Sequence, residues 1–152
     1  MKSEPSVFSF EDLLAAPRKR TLWEGIRNHQ ARNFMRDDMA LGDGVLFYHS
    51  SAEPSGVAGL ARVSAAASAD PTQFDSRSES FDPRSKREAP TWLAVEIEGL
   101  RALPQFVPLA SLKAHSGLSQ MLVVQRGQRL SIQPVTPREW AAVLALGGVE
   151  GR

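Results

Sequence analysis

The stretch Thr91-Trp92-Leu93-Ala94-Val95-Glu96-Ile97-Glu98 alternates in character residue by residue, and its reading decides the class of fold. Period two places Trp92, Ala94 and Glu96 on one face of a strand and Leu93, Val95 and Ile97 on the other. A strand with an apolar face needs partners, and they lie upstream. Val45-Leu46-Phe47-Tyr48-His49 is apolar and rich in β-forming residues, and it follows the turn signal Gly42-Asp43-Gly44. A polar turn over 50–55 joins it to a second run over 56–63, so the two are expected to form a hairpin.

Short helical signals surround these strands. Ser9 precedes Phe10-Glu11-Asp12-Leu13-Leu14 as an N-cap with Asp12 in the capping-box position, and Pro17 ends that helix. Residues 30–39 read as a second helix and 108–115 as a third. Thr136-Pro137-Arg138-Glu139 opens a fourth with cap, proline and closing glutamate all in place, and Gly147-Gly148 ends it. Residues 64–90 are small, polar and charged and read as a long surface loop, while Arg129-Leu130-Ser131-Ile132 reads as a further strand. No repeat or heptad interrupts this order. The expectation is one α+β domain over residues 1–152, with short helices set around barrel-like strands.

Composition narrows the functions available. The 152 residues are 42% hydrophobic and 23% charged, enough apolar mass for one core. No run approaches the roughly 20 apolar residues of a membrane helix, and the N-terminus lacks the apolar centre of a signal peptide, so a cytoplasmic monomer without a membrane partner is expected. The absence of cysteine excludes disulfides, thiolate nucleophiles, iron–sulfur clusters and Cys-based zinc sites. The histidines His29, His49 and His115 form no metal spacing, so neither metal nor cofactor is expected. The net charge is only +1, but Arg18, Lys19, Arg20, Arg27, Arg32 and Arg36 face a single acid, Glu24, between positions 18 and 36. That cluster either meets phosphates or forms an ordinary solvated face.

Three signatures then carry a resemblance: Lys2-Ser3-Glu4-Pro5, Trp23-Glu24-Gly25-Ile26-Arg27-Asn28-His29-Gln30-Ala31-Arg32-Asn33, and Phe47-Tyr48-His49-Ser50. In that order they resemble the motifs of the EVE domain family. Asp70-Pro71-Thr72-Gln73-Phe74-Asp75, Pro90-Thr91-Trp92 and Arg129-Leu130-Ser131-Ile132-Gln133-Pro134-Val135 with Trp140 extend the match over nearly the whole chain. The resemblance implies a PUA-like mixed β pseudo-barrel surrounded by short helices, similar to YTH and ASCH domains. It further implies a nucleic-acid partner, DNA or RNA, carrying a modified base, with modified cytosine in DNA foremost. Met1 immediately precedes the first motif, so the first strand is expected to be short or to begin upstream.

A pocket for a base taken out of the stack needs a flat π-face and hydrogen bonds to the base edge. Trp23 and Trp92 are candidates for the face and Tyr48 for a ring wall. Asn28, Gln30 and Asn33 each offer both donor and acceptor, and Ser3, His49 and Ser50 add hydrogen-bonding groups. Lys2, Arg18, Lys19, Arg20, Arg27 and Arg32 are the candidate phosphate contacts. Each has a plainer alternative: Trp92 and Trp140 in the core, His49 as a satisfied structural histidine, Asn28 and Asn33 as caps, Arg27 and Arg32 paired with Glu4 or Glu24. Two other functions compete. An ASCH-like hydrolase acting on a modified nucleoside would use Lys2 and Glu4, and a protein-interaction module would use the barrel as scaffold.

Overall fold

The computed structural model describes residues 1–150. Among these residues five strands form one sheet: β1 (Lys2–Ser3), β2 (Arg20–Trp23), β3 (Gly44–His49), β4 (Gly56–Ala69) and β5 (Leu93–Pro108), in the order β1-β3-β4-β5-β2. β1 runs parallel to β3, with Lys2 opposite Tyr48 and Ser3 opposite His49; the remaining pairs are antiparallel. Four α-helices surround the sheet: α1 (Phe10–Ala15), α2 (His29–Asp37), α3 (Leu109–Ala114) and α4 (Pro137–Leu146). This is the α+β, PUA-like architecture that the resemblance implied.

Both faces of the sheet are covered. Along β3, Val45 and Phe47 enter one core cluster with Phe10, Leu13, Trp23, Met35, Val95 and Ile97, while Leu46 and Tyr48 enter a second with Leu103, Val107, Leu112, Leu118 and Val143. Val57 and Leu60 of β4 share that second cluster although three-residue spacing in a regular strand would separate them. A register shift between Val57 and Gly59 brings them to one side. α1 lies so close to the sheet that a Cβ on Gly59 would fall 2.3 Å from the Phe10 ring, so only glycine fits there.

Helix starts follow the caps in the sequence. Asp12 N–H donates to Ser9 Oγ at 3.0 Å and Ser9 N–H to Asp12 Oδ2 at 2.8 Å; Thr136 and Glu139 repeat the arrangement at α4. α2 begins one residue earlier than the sequence indicates because Asn28 Oδ1 accepts the Ala31 N–H at 3.0 Å.

Two expectations need correction. The alanine- and serine-rich residues 64–69 belong to β4, not to a loop: they pair with β5 as far as Ala69 opposite Leu93, and partner strands override a weak intrinsic preference. Residues 129–132 form no strand. They pass the edge of β1, where Lys2 N–H donates to Ser131 C=O at 2.7 Å, and no ladder follows. β1 itself is only two residues long. No helix among the described residues is long and apolar enough to cross a membrane.

Candidate functional site

The connection from β2 to α2 is held rigidly at successive residues. Trp23 ends β2 opposite Val95, 9% exposed, with its ring edge-on to Phe47 at 5.7 Å and 87°. Gly25 then turns the chain at φ +84°, and its N–H donates to Asp70 Oδ2 at 2.7 Å. Arg27 closes the clasp. Its five N–H donors reach Asp70 Oδ2, Thr72 Oγ1, the Ile26 carbonyl and, twice, the Ser80 carbonyl. Burial alone would raise the fully buried Asp70 carboxyl, but hydrogen bonds from Thr72, Gly25 and Arg27 outweigh it and hold the carboxyl below the usual range. Arg27 is therefore no phosphate contact, and its acidic partner is Asp70 in place of Glu4 or Glu24.

A cleft opens beside this connection in two lobes of about 510 Å³ and 390 Å³ that share Ile26 and Ser131. Lys2, Ser3, Glu4, Thr21, Trp23 and Glu24 line the first; Arg27, Asn28, Gln30, Gln128 and Arg129 line the second. Such volumes suit a ligand of base or nucleotide size. Lys2 Nζ donates to the Gln128 carbonyl at 3.2 Å, and burial lowers the pKa of its ammonium. Ser3 Oγ donates to the Phe8 carbonyl at 2.5 Å, so the hydroxyl can act toward a ligand only as an acceptor. The Glu24 carboxyl is raised above its usual value, first by burial and then by nearby Asp70, with Arg27 opposing.

The cleft thus gathers Lys2, Ser3, Trp23, Arg27, Asn28 and Gln30 from the residues singled out in the sequence, with the Arg27 donors turned to the clasp. It adds Glu24, Thr21, Ile26, Gln128, Arg129 and Ser131, which sequence reasoning missed as site residues. For Arg129 and Ser131 the available signal was the closing motif at 129–135, of which 129–132 reads as a strand; for Glu24 and Ile26 it was the Trp23 motif that contains them.

The other candidates lie elsewhere. Trp92 is 7% exposed, and His29 at 4.7 Å, Arg27 at 5.4 Å and Arg32 at 5.9 Å cover its ring. Its indole N–H donates to Asp82 at 2.8 Å. These contacts tie down the 70–92 segment and leave no ring face for a base. Asn33 Oδ1 is occupied by the Arg32 guanidinium, which also donates to the Thr91 carbonyl. Tyr48 lies in the second core cluster beside a recess of about 30 Å³, too small for a base, and burial raises the pKa of its hydroxyl. Ser50 continues the β1–β3 pairing through its N–H to Ser3 C=O at 2.9 Å. Arg20 pairs with Glu98 at 3.1 Å and Glu96 at 3.7 Å. Arg18 and Lys19 are exposed in the turn before β2 and make no ion pair among the described residues.

His49 is a structural histidine. Its Nε2 accepts the Phe10 N–H at 3.0 Å, and burial lowers its pKa against the opposing pull of Glu11. Because the folded state binds this proton less readily than the unfolded chain, the stabilisation is present above the ordinary value of 6.5. It is lost as pH falls from there through the lower native value. Urea midpoints measured from pH 8 to pH 5 should fall on acidification, and His49→Gln should flatten that dependence.

A larger cavity of about 910 Å³ lies between the end of α2, the start of β3 and Trp140 of α4. Its walls include Phe34, Met39, Val45, Ile132 and Trp140, and its charged lining residues are Asp38 and Asp43. Acids without a lysine or arginine repel phosphate, so size does not make this groove a nucleic-acid site.

A mixed sheet of this order, ringed by short helices and bearing a polar and aromatic cleft at the β1 edge, defines a PUA-like binding domain. The EVE domain model matches residues 1–146, and the chain belongs to the EVE domain family. It is 41% identical over 162 residues to human thymocyte nuclear protein 1, covering 96% of this chain and 72% of that protein. A crystal structure of a Pseudomonas putida protein superposes with a TM-score of 0.91 at 42% identity, covering 97% of each chain. That of human THYN1 protein in complex with 5-methylcytosine-containing DNA superposes with a TM-score of 0.90 at 42% identity, covering 99% of this chain and 96% of that one.

Proposed function

We propose that this chain is a non-catalytic DNA-binding domain that accepts one modified cytosine in the cleft beside Trp23, acting as a single domain in the compartment that holds the genome. The observation that carries this reading is that Trp23, Lys2 and Ser3 border one lobe, and Asn28 and Gln30 the adjoining lobe, of a cleft of base size. The human relative solved with 5-methylcytosine-containing DNA supports the choice of ligand and favours DNA over RNA. Lys2 and Arg129 meet the phosphates flanking the base, and Arg18 and Lys19 extend the basic surface from the start of β2. Lys2 and Glu4 share the cleft, and we assign them to binding, with no turnover of nucleosides.

The test is titration of the purified protein with single-stranded DNA carrying one 5-methylcytosine or one cytosine at the same position. Tighter binding of the methylated strand is expected, with Trp23→Ala weakening it by about 1–3 kcal/mol, the value of one base–aromatic stack. The logarithm of the affinity should fall linearly with log salt, and Lys2→Gln and Arg129→Gln should each reduce the slope by about 0.7, the single-strand value for one phosphate contact. Equal affinity for both strands together with salt-independent binding would instead favour a protein-interaction module.

A further inference from the structure

A reader of 5-methylcytosine in DNA faces a competitor that carries the same methyl group, because thymine is 5-methylated too. Stacking on Trp23 and apolar contact with Ile26 are blind to the difference. The two bases differ at C4, where cytosine presents an amino donor and thymine a carbonyl acceptor. They differ again at N3, an acceptor in cytosine and an N–H donor in thymine, and a group that senses this edge can separate them.

The cleft offers a carboxylate for this purpose. Glu24 follows Trp23 directly and lines the same lobe. In an unbroken strand successive side chains point to opposite faces, but β2 ends at Trp23 and Gly25 turns the chain, and both residues border one space. The backbone on either side is fixed: Trp23 is paired with Val95, and the Gly25 N–H is bound to the buried Asp70. Among the described residues the Glu24 carboxylate makes no hydrogen bond or ion pair, in contrast to Asp70 and Glu98, each with both oxygens engaged by neighbours. Glu24 is exposed, and an unengaged acceptor carried on a fixed backbone beside Trp23 complements an amino group and opposes a carbonyl.

We infer that Glu24 is the specificity residue for the amino group of the bound pyrimidine, accepting a hydrogen bond from N4 of cytosine and rejecting thymine. The inference rests on the base-reading cleft proposed above. Glu4 and Lys2 also face this lobe, and Asp70 and Arg27 stand behind Glu24. Glu24 is the acid that adjoins the ring in the chain.

The experiment is a cycle of two proteins and three ligands. Wild type and Glu24→Gln are titrated with single-stranded DNA identical except for one position, occupied by cytosine, 5-methylcytosine or thymine. Glutamine has the same shape and can turn its amide N–H to a carbonyl, so the preference for 5-methylcytosine over thymine should fall at least tenfold in the variant. Loss of the negative charge raises affinity for all three strands alike, and the ratio cancels that effect. An unchanged ratio in a variant that still prefers 5-methylcytosine to cytosine would overturn the role of Glu24 and leave the base-reading cleft standing. A wild-type protein that binds all three strands equally would overturn both.

Discussion

Replacement of Asp70 by alanine should destabilise the protein by about 3–5 kcal/mol, the cost of leaving one partner of a buried ion pair without the other. Asp70 is fully buried and takes hydrogen bonds from Gly25 N–H at 2.7 Å, Arg27 Nη1 at 3.0 Å, Thr72 N–H at 2.8 Å and Thr72 Oγ1 at 2.6 Å. Its removal frees the turn that positions Glu24 and Asn28, so ligand affinity should fall along with the denaturation midpoint. Arg27→Met should share the defect, and the double variant should be less impaired than the sum of the two, because either change empties the same clasp. The acid limb follows the same logic. The Asp70 carboxyl titrates below its ordinary value of 3.8 in the fold, so its contribution is present above that value and is lost as pH falls through the lower native one. Asp70→Asn should remove that part of the acid sensitivity seen by urea titration.

The second large effect is expected at Phe47, whose ring is fully buried between Phe10 at 5.3 Å and Trp23 at 5.7 Å. Phe47→Ala should cost about 3–5 kcal/mol in urea denaturation, through lost transfer energy and the cavity left behind. That is a large share of the 5–15 kcal/mol that holds a typical domain together. The ring is also the wall against which Trp23 stands, so Phe47→Leu should retain more stability yet loosen the stacking face, lowering ligand affinity more than the fold.

Different parts of this molecule were legible in the sequence for different reasons. The caps at Ser9 and Thr136 and the alternation at Val95 and Ile97 are local signals, and local physics is what a sequence states directly. Residues 64–69 escaped that reading because alanine and serine have no strand signature of their own; their extension is imposed by β5 across the sheet. Residues 129–132 failed in the opposite direction. Their composition suits a strand, but β1 offers only two residues to pair with. The site divides along the same line. Trp23, Asn28 and Gln30 sit in one contiguous motif and reach one cleft together, whereas Arg129 and Ser131 come from a distant segment that only tertiary structure brings there. Arg27 and Asn33 stand in the same motif as the cleft residues, yet Arg27, although it borders the second lobe, has all its donors in the clasp, and Asn33 is held by Arg32. No spacing rule distinguishes a ring that stacks a base from one that stacks a guanidinium.

The chain has three tryptophans, each in a distinct place: Trp23 in the cleft, Trp92 in the clasp and Trp140 on the 910 Å³ groove. Their indole N–H signals in a nitrogen-15 NMR spectrum therefore report which region a ligand enters. On titration with a short single-stranded DNA containing one 5-methylcytosine, the Trp23 signal should move in a saturable way while those of Trp92 and Trp140 stay nearly fixed. A saturable shift of the Trp140 signal with Trp23 unmoved would place the ligand in the acidic apolar groove and contradict the base-reading cleft.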